Sequence, residues 1–333
     1  TSALGGHIDA CDGCGNLSIS YNSCRNRHCP KCQGSKREDW IQARESELLP
    51  VPYFHVVFTL PDSINSLAIH QPKLVYDTLF EATWETLQKF GKAKAIQMGM
   101  IAVLHTWGQN LSLHPHLHCI VPGGGVDKNG VWQNIRSDGN FLFPVKALSK
   151  IFRAKFCEKL KEKEPIKYEQ IRQGLWQKPW VVFAKKPFGS PKSVVEYLGR
   201  YTHKIAISNH RIKNVDAQNV TFDYKDYRQE GLKKQMTLTH QEFIRRFSLH
   251  ILPKGFVKIR HYGFLSSTWK RQKLKLLQLK LKVKVLGNRE KKPFLPKCPC
   301  CRTGNLHRIA LFDQRGPPAW YLGSSQNTNP CEN

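Results

Sequence analysis

No run of apolar residues in this chain approaches the roughly 20 needed to cross a bilayer as a helix. The longest, such as Val56-Val57-Phe58 and Ile101-Ala102-Val103-Leu104, are a few residues each. No secretory leader is read at the start, which opens on Thr1 without a Met, so a cytoplasmic protein with no membrane partner is expected. Acidic residues are scarce. Asp and Glu number 25 against 52 Lys and Arg, a formal net charge of +27 over 333 residues. A compact chain carrying that self-repulsion normally has a polyanionic partner, and nucleic acid is the leading one. Internal repeats and low-complexity tracts are absent too. No Walker A string follows a strand, and Gly123-Gly124-Gly125 reads as a turn rather than a phosphate loop.

Hydrophobic residues make up 40% and charged residues 23%, enough to build ordinary soluble cores, and the length suggests two or three units. A zinc-binding module is expected over residues 1–50: residues 1–40 are rich in Cys, Gly, Asn and Arg, and a helical stretch from about Glu38 to Leu49 leads to Pro50-Val51-Pro52. Strand-like runs follow at Tyr53–Leu60, Gly99–Trp107, His116–Val121 and Trp180–Ala184, with helical spacing over Lys73–Phe90. This mixture predicts an α+β domain over residues 51–210. Beyond it, residues 211–333 form a basic region: short β-like pieces (Val220–Tyr224, Gln235–Thr239), a helix at Gln241–His250, then 13 Lys or Arg against one acid in Lys254–Lys292. The alternation in Lys273–Val285 fits either a strand with one basic face or a basic helix. The tail after Ala319 is polar and expected to fray.

Eleven cysteines are clumped, five between Cys11 and Cys32 and three between Cys298 and Cys301. Close CxxC pairs in a basic chain fit zinc in a reducing compartment better than a disulfide scaffold. Cys11-x2-Cys14 and Cys29-x2-Cys32 have the separation that lets two knuckles share one tetrahedral Zn²⁺, whose thiolate bonds supply folding energy. His7, Cys24 and His28 are further candidate ligands for a second zinc or a different set of four. Cys298-Pro-Cys300-Cys301 offers one more pair, with His307 and Cys331 alone able to complete it, and reads as an incomplete or an occupied knuckle.

Leu113-His114-Pro115-His116-Leu117-His118-Cys119 is the most informative stretch. Residues two apart on a strand project to one face, so His116 and His118 present two imidazoles side by side while Leu117 and Cys119 turn to a core. Two neutral imidazoles form part of a divalent-metal seat. Some 80 residues on, Ser190-Pro191 reads as a helix start, placing Tyr197 and Tyr201 at i and i+4 on one face with Lys204 a turn beyond. A tyrosine hydroxyl attacks phosphorus when a metal polarises the phosphate and the phenol loses its proton.

HPHLHCIVPGGG, the YxxxYxxK string at Tyr197–Lys204 and CxxCG…YNSCRNRHCPKCQ together resemble the rolling-circle, two-tyrosine insertion-sequence transposases of the HUH endonuclease superfamily. YFHVVFTLP, HTWGQNL and VKIRHYGFLSS are similar to that family as well. The resemblance implies an HUH-type antiparallel sheet with flanking helices, preceded by a zinc-binding module and followed by a basic DNA-binding region. It further implies His116 and His118 as ligands of a catalytic Mg²⁺ or Mn²⁺, Tyr197 and Tyr201 as nucleophiles, Lys204 as the closing lysine, and Cys11, Cys14, Cys29 and Cys32 as structural zinc ligands. The third catalytic ligand is Gln109 or His105, which share strand parity; Gln109 is slightly preferred. The expected activity is nicking and rejoining of single-stranded or hairpin transposon ends and target DNA through a 5′-phosphotyrosine. Trp107, Trp180 and Tyr262 are candidates for stacking on bases or for the core. A plasmid replication initiator or relaxase would share the chemistry; a non-catalytic zinc DNA-binding protein would not.

Overall fold

The computed structural model describes residues 2–324 except 25, 30–39, 42, 136–141, 185–192, 195–196, 198, 200–204 and 284–294. The chain forms two compact units. One joins Thr1–Gly34 to Leu286–Asn333; the other is Ser35–Val285. These units cut the chain differently from the boundaries at 50 and 210 read off the sequence, because the C-terminal segment supplies a strand to the N-terminal module.

In the first unit β1 (Gly6–Cys11) lies between β2 (Leu17–Tyr21) and the strand Leu306–Phe312, antiparallel to both. Without Leu306–Phe312, one side of β1 would be an unpaired edge. Gly6 is required at the closest approach: a Cβ there would stand 2.5 Å from the Ser20 carbonyl oxygen.

The second unit contains β3 (Tyr53–Thr59), β4 (Gly99–Trp107), β5 (Leu113–Pro122), β6 (Gly124–Val126), β7 (Trp132–Asn134) and β8 (Val182–Ala184). Then come β9 (Ile212–Val215), β10 (Asn219–Asp226), β11 (Leu232–Thr239) and β12 (Ile259–Gly263). Five of them make an antiparallel sheet in the order β12-β4-β5-β3-β8. The α+β class and the antiparallel sheet agree with the sequence reading. Gly124 and Gly125 are not in a turn, as their composition suggested, but in the β6–β7 hairpin. A Cβ on Gly124 would press within 2.4 Å of the Gln133 carbonyl oxygen.

Alternation along the strands gives the sheet two different faces. One carries Phe54, Val56 and Phe58 of β3, Met100, Ala102 and Leu104 of β4, and Leu117, Cys119 and Val121 of β5. Against it pack helices α1 (Pro72–Lys92), α2 (Val145–Lys163) and α3 (Pro165–Trp176). Pro72 and Pro165 open their helices at the first turn, where a missing N–H costs nothing. Phe152 of α2 meets Phe58 edge-on at 5.0 Å and Trp180 at 5.3 Å. Trp180 belongs to this core, with its indole N–H donating to the Leu175 carbonyl. Tyr262 stacks on Trp84 at 5.2 Å.

On the opposite face Tyr53, Ile101, Val103 and Ile120 form a smaller core with Val194, Phe264, Leu274 and Leu277. Leu274 and Leu277 come from the basic stretch, which is helical through Lys270–Leu274 and Lys275–Lys280 rather than extended. Spacing of three to four residues buries one stripe of it and leaves Leu276 and Leu279 in solvent. The same face also carries His55 of β3, His105 of β4, and His116 and His118 of β5.

A third layer, the antiparallel meander β9-β10-β11, packs Phe222 against Phe243 and Phe247 of α4 (His240–Ser248). Thr239 caps α4, its hydroxyl accepting from the Glu242 N–H at 3.3 Å.

Phe152→Ala would open a cavity between α2 and the sheet. It should lower unfolding free energy by about 3–5 kcal/mol, read as a reduced urea midpoint with an unchanged slope; a loss below 1 kcal/mol would mean that this core is not the main one.

Candidate functional site

Two side-chain constellations stand out, one in each unit. In the first unit the thiols of Cys11, Cys14, Cys298 and Cys301 converge, all within 4.8 Å of one another. Cys11 Sγ lies 3.7 Å from Cys301 Sγ, and Cys14 Sγ lies 3.7 Å from Cys298 Sγ. Zn–S bonds of about 2.3 Å in tetrahedral array require sulfur–sulfur edges of about 3.8 Å, so the donors fit zinc. Backbone N–H groups of Gly13 and Gly304 donate to Cys11 and Cys301 at 3.3 Å each. Gly304 must be glycine, since a Cβ would stand 2.4 Å from Cys11 Sγ. The Thr303 hydroxyl and the Gly304 N–H pull the Cys301 thiol down to about 6, towards the ligating thiolate. Asp12, within the first knuckle, accepts from the Asn305 N–H at 2.7 Å and from His307 Nε2 at 3.1 Å, tying the two halves together.

This set differs from the one expected from spacing. Cys29 is not among the converging thiols, and Cys32 lies outside the described residues. The Cys298/Cys301 pair is not left incomplete but meets Cys11 and Cys14. His7 pairs with Asp9 at 3.4 Å, His28 Nε2 accepts from Arg27 Nε at 3.3 Å, and Cys24 is exposed.

In the second unit the antiparallel register sets His105 of β4 opposite His116 of β5, and Val103 opposite His118. His105, His116 and His118 thus share the polar part of one sheet face, and their nitrogens gather within 4.8 Å. Ring centroids are 4.5 Å apart for His105–His118 and 4.9 Å for His116–His118. His116 Nδ1–H donates to the His114 carbonyl at 2.6 Å, which leaves the Nε2 lone pair available for a metal. Burial lowers the His116 pKa to about 4, so the imidazole is neutral, the ligating form. Trp107 stacks on His105 at 4.5 Å, with Lys258 Nζ over the indole at 5.1 Å.

His55 of β3 was not singled out in the sequence. Its Nε2 lies 2.8 Å from His118 Nδ1 and the two rings stack at 5.1 Å. For His118 to present a lone pair at Nε2, its Nδ1–H must donate to His55 Nε2. The Tyr197 ring meets His55 edge-on at 5.1 Å. Tyr197 is helical, and nearby Val194 packs into the core on the histidine face of the sheet. The first tyrosine and the imidazoles therefore occupy the same side.

Comparison with known proteins follows this geometry. Residues 99–273 match a family model described as "Putative transposase", and residues 1–60 match one described as "Transposase zinc-binding domain". A curated relative from Sinorhizobium fredii, "Putative transposase y4qJ", is 43% identical over 96% of this chain and 88% of its own length. "Transposase for insertion sequence element IS801" from Pseudomonas savastanoi pv. phaseolicola is 29% identical over 91% of this chain and 77% of its own. This chain belongs to that transposase family. The family match spans both strands that carry the three histidines, and the zinc-binding match contains Cys11 and Cys14 but not Cys298 or Cys301.

Of the remaining site candidates in the transposase, Tyr201 and Lys204 lie outside the described residues. Gln109 sits in the turn after β4, which ends at Trp107, so strand parity does not extend to it; its backbone carbonyl accepts from Arg211 Nη2. His105 remains on the strand and reaches the cluster.

Cys298→Ser should release about one equivalent of zinc and destabilise the first unit, whereas Cys29→Ser should leave the ion of this tetrathiolate bound. Metal content by mass spectrometry and the thermal transition of the full chain check both; equal zinc in Cys298→Ser and the parent would contradict the site.

Proposed function

We propose that this transposase nicks and rejoins single-stranded ends of its element through a covalent phosphotyrosine, as in rolling-circle transposition. The observation that carries this reading is the gathering of His105, His116, His118 and Tyr197 on one face of the antiparallel sheet. A transposase acts on DNA, and the +27 charge suits that substrate. No helix among the described residues is long and apolar enough to cross a membrane.

On this reading the three imidazoles hold one divalent ion, Mg²⁺ or Mn²⁺, which when bound would polarise the scissile phosphate. Tyr197 or Tyr201 attacks phosphorus in line. The phenol proton passes to solvent, the bond to the 3′-oxygen breaks, and that oxygen leaves as a hydroxyl after taking up a proton. The product is a 5′-phosphotyrosine on the protein and a free 3′-OH. Attack by a 3′-OH on the phosphotyrosine reverses the exchange and joins strands, so no nucleotide cofactor is consumed. Two tyrosines hold two strand ends in succession, and Lys204 offers a charge to the phosphate. Strand displacement falls to a separate helicase. The tetrathiolate of Cys11, Cys14, Cys298 and Cys301 holds structural zinc apart from this chemistry.

His55 acts here as a positioning residue: it contacts His118 and the Tyr197 ring but no reacting atom. Its acceptor nitrogen keeps His118 in the tautomer that ligates through Nε2.

Covalent capture of a labelled single-stranded oligonucleotide tests the nucleophiles. Tyr197→Phe and Tyr201→Phe should each impair adduct formation and together abolish it, while His105→Ala should abolish metal-dependent adduct formation and Gln109→Ala should not. A double tyrosine variant that still forms the adduct rules the mechanism out.

His55→Leu should weaken Mn²⁺ binding by about 10–100-fold, as loss of a partner to a ligating histidine commonly does. His55→Gln, whose side-chain oxygen also accepts from Nδ1–H, should recover most of it. Calorimetric titration with Mn²⁺ separates the two; equal losses would leave His55 a packing residue.

A further inference from the structure

The meander β9-β10-β11 has no part in the chemistry above, yet it is fastened to the catalytic strands at one place. Three consecutive carbonyls in the β4–β5 turn accept hydrogen bonds from the turn that leads into β9, from α4 and from the segment after α4. Gln109 O accepts from Arg211 Nη2, Asn110 O from Arg246 Nη1 at 3.2 Å, and Leu111 O from His250 Nε2 at 3.1 Å. His250 also accepts from the Thr106 hydroxyl at 3.2 Å, and Leu111 is fully buried among Phe222, Ile207 and Ala206. That turn joins the strand of His105 to the strand of His116. The meander is thus held in a fixed relation to the imidazole cluster.

Its inner face is spent on α4; its outer face is covered by no other element among the described residues. Alternation places Thr221, Asp223 and Lys225 of β10 outward, opposite Thr237, Gln235 and Lys233 of β11. Asn214 of β9 lies beside Thr221. The centre is made of hydroxyls and an amide: Thr221 and Thr237 share a hydrogen bond of 2.8 Å, and Gln235 donates to Asp223 at 3.2 Å. Lys213 neutralises Asp223 at 3.2 Å. At the hairpin end Lys225 and Lys233 are exposed and directly opposite each other, a like-charge pair that disfavours the strand pairing unless an anion lies over it.

We propose that this outer face docks on duplex DNA, with β10 and β11 entering the major groove and Lys225 and Lys233 on backbone phosphates. Two strands about 4.8 Å apart fit a groove about 12 Å wide. Hydroxyl and amide side chains both donate and accept, as base edges do, whereas a face for another protein would carry an apolar centre. The inference rests on the strand-transfer reading and adds to it: beside the single strand being cut, the transposase grips an adjoining duplex, such as a hairpin stem.

The test measures affinity of the full chain for a labelled duplex pool of randomised sequence, and for the same pool as single strands, across salt concentrations without added Mg²⁺ or Mn²⁺. Lys225→Ala/Lys233→Ala should make the duplex plot of log affinity against log salt shallower by about two, since each phosphate contact contributes about 0.9. Lys225→Arg/Lys233→Arg should restore the slope, which separates charge from misfolding. An unchanged duplex slope in the alanine pair, or a loss confined to single strands, overturns the proposal. Adduct formation by the parent reports the other reading independently. An adduct with no slope change sinks only the docking face; a slope change with no adduct upholds the face and sinks the phosphotyrosine.

Discussion

The chemistry proposed for this fold depends on the register of one antiparallel pair. β4 and β5 set His105 directly across from His116, and His118 follows two residues on. A slip of one residue would carry a whole set of imidazoles into the apolar layer between sheet and helices and bring Leu104 or Leu117 to the polar face. Apolar packing is what forbids the slip: Leu104, Leu117, Cys119 and Val121 are buried against α1 and α2, and exposing them would cost roughly 1.5–3 kcal/mol each. The turn between the strands is fixed too, with three carbonyls in succession held by Arg211, Arg246 and His250. A site with no carboxylate among its three histidines is therefore positioned by a hydrophobic core on one face and a hydrogen-bonded turn at its end.

The first unit solves a different problem. Its thiol pairs are 284 residues apart at Cys14 and Cys298, and the second unit lies between them in the chain. Closing so long a loop carries an entropic cost that grows only with the logarithm of its length. The returns are strand pairing of β1 with Leu306–Phe312 and thiolate–zinc bonds, neither of which a short, polar, cysteine-rich stretch could replace by burial. The cysteine spacing within residues 1–34 gave no sign of this, because the zinc rule reads local separation and the true partner pair is remote.

Legibility followed the range of the interaction. β4 was bounded in full by its apolar run, β3 to within a residue, and the helix over Lys73–Phe90 by its period; all are local patterns. HxH was legible because a strand's two-residue period is also local. His105 was harder. Parity admitted both it and Gln109, and only the end of β4 at Trp107 separates a strand residue from a turn residue. His55 carried no signal: it sits in an ordinary apolar strand, and its role comes from a diagonal neighbour on β5. The helices α2 and α3 were missed, although α2 buries Leu148, Phe152, Phe156 and Leu160 at a four-residue spacing that is itself a local pattern. The basic stretch was ambiguous until Leu274 and Leu277 found a core to face.

The imidazole cluster also bears on how ion and substrate would act on each other in the proposed mechanism. Three imidazoles supply no negative charge to a divalent cation, and the chain as a whole is strongly basic. Imidazole is a softer donor than carboxylate and suits Mn²⁺ better than Mg²⁺. The missing hard, anionic ligands are those that a DNA phosphate carries. Phosphate oxygens entering the site would lower the electrostatic cost of the ion, and the ion would lower the cost of desolvating the phosphate. By reciprocity each raises the affinity for the other by the same factor. Tyr197 stands outside that coupling, since its ring packs on His55, which in turn contacts His118. In the proposed mechanism the Tyr197 phenol is thus placed by packing, while assembly of the charged centre waits for the substrate.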